Sequence, residues 1–146
     1  MNLPNPATRP DAGLLVLRLG LGGILLFHGI YKVTHGVAWM SGPLSAVGLP
    51  VQLAYGAYIA EVIAPALLIL GLWTRFAALI IAFDMVMAIY LARSGDIGKI
   101  NPMGGGWAIE LEALLLVAAL AIALAGSGRY ALQTSGATQG SRRGRY

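Results

Sequence analysis

The sequence predicts an all-α fold, an integral membrane four-helix bundle, and three observations carry that expectation. Charged residues make up only 11% of the 146-residue chain and hydrophobic ones 58%, whereas soluble domains carry about 25% charge. The apolar residues gather into four stretches, 13–31, 51–72, 76–92 and 107–125, each near the roughly 17–25 residues a helix needs to cross a bilayer. None of the four alternates at period two, as barrel strands do, and none carries the polar outer stripe of a helix in a soluble bundle. The length suits a single domain.

The elements follow in order. Residues 1–12 form a short N-terminal segment. The stretch 13–31 is longer than the roughly 7–15 apolar residues of a secretion signal. It runs on into "YKVTHGVAW" without a small-x-small cleavage site, which predicts a retained helix. The loop 33–50, "VTHGVAWMSGPLSAVGLP", is long for a helix hairpin and carries Trp39, Met40, Leu44 and Val47. It either lies along the membrane surface or covers the mouth of the bundle. In the second stretch Pro65 predicts a kink that frees a backbone carbonyl near residue 61. "GLWTR" (71–75) is a tight connection to the third stretch. The loop "SGDIGKINPMGGG" is built of turn residues, and its glycine run follows no strand, so a phosphate cradle has little support. After the fourth stretch, residues 127–146 read as a basic, disordered tail, better suited to anionic lipid than to nucleic acid. Four crossings put both termini on one side with Arg9, Arg75, Arg129, Arg142, Arg143 and Arg145, against Lys32, Arg93 and Lys99 on the other. That bias predicts cytoplasmic termini.

The absence of cysteine removes disulfides and thiolate metal sites. Two histidines seven residues apart cannot flank a haem from facing helices, and the Glu-x-x-His pairs of a di-metal centre are missing. Metal and haem are therefore not expected. Within the apolar stretches, however, stand Arg18, His28, Glu61, Asp84, Glu110 and Glu112, with Lys32 at the outer boundary. At 1.5 Å per residue, Glu61 and Asp84 fall about 14–15 Å deep, near the midplane. A charge there costs about 2.5–3.5 kcal/mol, avoided by taking up a proton or by turning inward. Ala54, Ala57, Glu61, Ala64 and Leu68 share one helical face, as do Ala77, Ile81, Asp84, Ala88 and Leu91. Small residues around a carboxylate let helices approach, so a polar core is expected.

His28 and Lys32, four apart, stack on one face. His28 is expected to face Glu61, either as a neutral packing group or as a titrating one, with Lys32 reaching toward Glu110. Glu110 and Glu112 are about 200° apart around a helix, so one centre takes only one of them. Arg18 is expected to snorkel to the membrane edge. His35 is expected to be solvated, and Trp39, Trp73 and Trp107 to form interfacial belts.

The segments "RLGLGGILLFHGIYKV" (18–33), "IAEVIAPALLILGLWTRFAALIIAFDMVMA" (59–88) and "GGGWAIELEALLLVAALAIALAGSGRYAL" (104–132) resemble the DoxX family of small bacterial membrane proteins. The likeness spans about residues 13–132 and departs at Gln133, where the family often ends in Ser-Leu-Asp. It implies a four-helix inner-membrane bundle, and by distance to "GSGR" it favours Glu110 over Glu112 as the acidic position of the fourth helix. Some members are described as subunits of thiosulfate–quinone oxidoreductases or quinol oxidases, or as partners of redox-defence enzymes.

Three functions follow as expectations. The first is a redox-associated, quinone-linked subunit with a buried pocket of His28, Lys32, Glu61, Asp84 and Glu110, with Arg18 and Glu112 as secondary candidates, a quinone bound non-covalently and electrons from a partner protein. The second is a scaffolding subunit without its own activity. The third is a small proton-coupled transporter, working as a homo-oligomer. Whether the chain is an enzyme by itself is left open by the residues.

Overall fold

The computed structural model describes residues 9–133. These residues are all-helical apart from one isolated bridge, Ile100 to Trp107. We label the helices α1 (Arg9–His35), α2 (Ser41–Ala46), α3 (Val51–Leu70), α4 (Thr74–Asp96) and α5 (Glu110–Ala125). Among the described residues α1, α3 and α4 are long and apolar enough to cross a membrane. The fourth apolar stretch gives only the 16 residues of α5, about 24 Å of helix, because residues 107–109 are drawn into the bridge and turn before it.

The four longer helices alternate in direction. Tyr58 Oη, near the start of α3, donates to Lys32 O near the end of α1 at 3.3 Å. At the opposite end Arg18 of α1 reaches Leu68 O of α3. Arg75, at the start of α4, reaches Leu124 O near the end of α5 at 3.5 Å, and Arg93 at the far end of α4 donates to Ala108 O just before α5. The core between them is built from small and branched residues, among them Ala64, Leu68, Ala77, Ile81, Ala119 and Ile122, which let the backbones approach closely. The expected α3 face, Ala54, Ala57, Glu61, Ala64 and Leu68, is buried throughout. On α4, Ala77 and Ile81 are buried while Asp84, Ala88 and Leu91 are half-buried. The outer flanks expose Phe27, Leu79, Phe83, Leu114, Val117 and Leu124, far more apolar surface than a water-soluble monomer presents.

Three differences from the sequence expectation matter for the site. First, α1 continues through His35, whose ring stacks on Tyr31 at 4.1 Å, so Lys32 lies in a helix rather than at its edge. Second, the loop after α1 covers the mouth of the bundle: Val37 and Leu44 are buried against Ala54 and Ala57 of α3. Third, the first part of the predicted tail, 127–133, is folded. Leu132 and Gln133 donate backbone N–H groups to Leu70 O and Gly71 O, each at 3.2 Å. Residues 1–8 and 134–146, with the arginines at 142, 143 and 145, lie outside the described residues.

The turn between α3 and α4 explains where that folded segment docks. Gly71, at φ +73°, ends α3 in a paired cap, Leu72 N–H to Leu67 O at 2.9 Å and Gly71 N–H to Leu68 O at 3.1 Å. Trp73 follows at φ +45°, a left-handed conformation that costs a non-glycine residue about 1–2 kcal/mol. Its N–H is held by Gln133 Oε1 at 3.1 Å. Asp11 Oδ1 accepts from Arg129 N–H at 3.1 Å, so both described chain ends meet at this turn.

Candidate functional site

Two buried charged groups define the interior. The first is Arg18, 1% exposed. It does not snorkel. Nε donates to Leu68 O at 2.9 Å, Nη2 to Ile69 O at 3.0 Å, and Nη1 to Ser127 O at 2.6 Å and Tyr130 O at 3.2 Å. Leu68 and Ile69 lie in the last turn of α3, where carbonyls lack an i+4 partner within the helix; Leu68 O takes the capping Gly71 N–H as well, and a cation suits that end of the helix dipole. Arg18 therefore ties three segments together.

The second group lies about 14 residues further along α1, where Lys32 Nζ forms an ion pair with Glu61 Oε1. The side chains are only 13% and 7% exposed. Local backbone makes this possible. Pro65 has no N–H to offer Glu61 O, four residues earlier, and Ile59–Ile63 widens into a π-turn with Glu61 at its centre, a form that recurs at functional sites. Gly29 packs directly on the freed carbonyl: a Cβ there would fall on Glu61 O and lie 2.7 Å from its carbon. Without glycine at 29, α1 could not bring Lys32 this close. Asp84 of α4 lines the same small cavity as Lys32 and Glu61. Two oxygens here, Glu61 Oε2 and Asp84 Oδ2, are buried without a hydrogen-bond partner.

Two cavities meet at the Lys32–Glu61 pair. The larger, about 460 Å³, lies between α1, α4 and α5. Its walls include Phe27, His28, Met85, Arg93, Leu111 and Glu112, and it opens between α1 and α5, where Phe27 and Leu111 are exposed. The smaller, about 70 Å³, lies beneath the cover that follows α1 and is lined by Trp39, Met40 and Asp84 as well as the pair itself.

The expected site residues thus divide. Lys32, Glu61 and Asp84 come together, and His28 stands at the rim of the larger cavity, exposed and on the same face as Lys32. The expected Lys32–Glu110 contact does not form. Glu110 is exposed and folds back toward Gly106 in its own loop, because its position points away from the buried face of α5. Glu112, three residues before buried Leu115, lines the cavity instead and pairs with Arg93 Nε at 3.6 Å. Sequence reasoning missed two wall residues. Arg93 also pairs with Asp96 at 3.4 Å, an i,i+3 spacing visible in the sequence. Trp39, expected in an interfacial belt, places its ring 5.7 Å from Lys32 Nζ, a cation–π distance. Among the described residues no cluster of His, Asp and Glu is arranged to hold a metal ion.

Comparison with known proteins gives the chain a family. The family model DoxX matches residues 13–94. An uncharacterized protein of Haemophilus influenzae is 32% identical over 82% of this chain and 87% of its own length. The Bacillus subtilis protein named "Putative oxidoreductase CatD" is 31% identical over 84% of this chain and 85% of its own. An uncharacterized membrane protein of Mycobacterium tuberculosis is 27% identical over 82% and 78%. No solved structure matches the chain.

Proposed function

The chain belongs to the DoxX family of membrane proteins, and from that premise we propose that it is a redox-associated subunit of the inner membrane whose larger cavity binds a quinone head group. In this reading α1, α3, α4 and α5 are four crossings, with the described ends on the cytoplasmic side beside Arg75 and Arg129. One observation carries the proposal. A cavity with apolar walls, open toward lipid, is bounded at its inner end by a buried carboxylate, Glu61, that has an acceptor to spare.

The residues suit a flat ring with oxygens at both ends. Phe27, Leu111 and Leu115 give an apolar slot, and pockets of this size and lining bind small molecules. Lys32 and His28 supply donors for carbonyl oxygens, and Glu61 Oε2 supplies an acceptor for a hydroxyl. A bound quinone would supply a two-electron couple, with electrons exchanged through a partner protein. The chain's own part is to orient the ring, exclude water and move protons at Glu61. Arg93, held by Glu112 and Asp96, keeps the far wall in place. The name of the Bacillus subtilis relative, an oxidoreductase, points the same way.

The test is equilibrium binding of a short-chain quinone to the purified full chain in lipid nanodiscs. Saturable binding is expected. Glu61→Gln should weaken it at least about tenfold, the loss of one hydrogen bond to a charged group. Absence of binding, or equal affinity in that variant, would leave the scaffolding role in its place.

A further inference from the structure

We propose that Glu61 and Asp84 hold one exchangeable proton between them, forming a relay that connects the two cavities. The starting point is an imbalance of donors. Glu61 Oε1 is taken by Lys32, while Glu61 Oε2 and Asp84 Oδ2 are buried without any donor, although the two carboxyl groups line one cavity of only about 70 Å³. Two bare carboxylates in contact repel, and each buried acceptor left unpaired costs about 1–3 kcal/mol. A single proton removes both penalties. A carboxylic acid is a donor as well as an acceptor, so one O–H between these oxygens satisfies the pair at once.

The charges then balance. Lys32 carries +1 and the proton-sharing pair carries −1, a neutral group in an interior where net charge is expensive. Among the described residues the ion pairs of Glu61 include no cation but Lys32. From α1 the site is faced by Lys32 and, at the cavity rim, His28. From α4 the nearby cation is Arg93, engaged with Asp96, Glu112 and Ala108 O, and α5 contributes Glu112 to that same Arg93. The cover after α1 brings Trp39 and Met40, which carry no charge. A metal ion would sit against the Lys32 ammonium and be repelled by it.

Position turns the shared proton into a relay. Glu61 lines both cavities, whereas Asp84 lines the smaller one. A proton given up by a hydroxyl in the larger cavity, its bonding electron pair staying on the hydroxyl oxygen, passes to Glu61. The proton already shared then leaves from Asp84 into the space beneath Trp39. The place of the proton is independent of what fills the larger cavity; only its use in redox chemistry rests on the reading above.

Infrared spectroscopy of the purified, ligand-free full chain in liposomes tests this directly. The expected result at neutral pH is a C=O stretch of a protonated carboxylic acid that shifts in deuterated water. It should vanish in Asp84→Asn and equally in Glu61→Gln, and persist in Glu110→Gln. Labelling with side-chain-carboxyl 13C aspartate and, separately, glutamate should move the same band in the unmutated chain, which keeps the test independent of variant folding. Absence of the band, or its survival in both the Asp84 and Glu61 variants, would overturn the proposal. Loss of quinone binding with the band intact would remove only the earlier reading.

Discussion

Each end of this helix bundle buries a cation contributed by α1, and the two ends treat it in opposite ways. Arg18 is enclosed by four backbone carbonyls, acceptors that neither gain nor lose protons. Lys32 meets a carboxylate that has a second carboxyl group beside it and acceptors left over. The first arrangement engages four of the guanidinium's five N–H groups with main chain and holds the structure together. The second is under-supplied with donors, so it is the end at which a ligand or a proton gains something by arriving. Burial of charge alone does not mark function; unmet hydrogen-bonding capacity at a buried charge does.

The most damaging way to probe the difference is to remove each cation. Arg18→Met takes the guanidinium donor from the carbonyls of Ile69, Ser127 and Tyr130, while Leu68 O keeps the Gly71 N–H. At about 1–3 kcal/mol per group, unfolding in mixed micelles should show a loss above about 3 kcal/mol, with no second substitution able to restore it. Lys32→Met should cost about 3 kcal/mol by leaving Glu61 with a buried, unbalanced charge. Adding Glu61→Gln to Lys32→Met should recover most of that stability while leaving ligand binding lost. If the Lys32 effect cannot be rescued in this way, the two ends are alike and the contrast fails.

Glycine sharpens the same contrast at smaller cost. A Cβ at Gly71 would come 2.5 Å from both Arg18 Nη2 and Ala131 Cβ, and at φ +73° the backbone itself is strained for alanine. A Cβ at Gly29 would collide with the Glu61 carbonyl. Both alanine variants should lose about 1–3 kcal/mol. Only Gly29→Ala, which pushes Lys32 away from Glu61, should also weaken ligand affinity in the folded fraction. Equal affinity in both variants would disconnect the α1–α3 approach from the site.

Much of this architecture was legible in the residues, for physical reasons that also explain what was not. The buried α3 face and the carbonyl left free at Glu61 follow from helical periodicity and the N–H missing at Pro65, both local. Depth counted at Cα hides the Lys32–Glu61 pair. Side chains lean toward the N-terminus of their own helix, so Lys32 leans inward from the end of α1. Glu61, on a helix running the other way, leans outward to meet it. Arg18 escapes such reading because its partners are backbone carbonyls up to 112 positions away, which have no signature in side-chain pattern. The folded run 127–133 was hidden for the same reason: it is held largely by main-chain bonds.

The smallest expected effect decides a point that family resemblance and helical phase answer differently. Resemblance favoured Glu110 on the fourth helix, yet Glu112 shares the face of Leu115 and Ala119, three and seven residues on, and lines the cavity. Glu110→Gln is therefore expected to change stability by less than about 0.5 kcal/mol, as exposed substitutions do, and to leave ligand affinity unchanged. The Glu112–Arg93 pair is part-exposed at 23% and 37%, so Glu112→Gln should cost no more than about 1 kcal/mol of stability. It should nonetheless lower ligand affinity, because Arg93 then keeps one carboxylate partner, Asp96, and the cavity wall loosens. A matched pair of binding curves reads this out. If the Glu110 variant binds worse than the Glu112 variant, the wall has been assigned to the wrong face of α5.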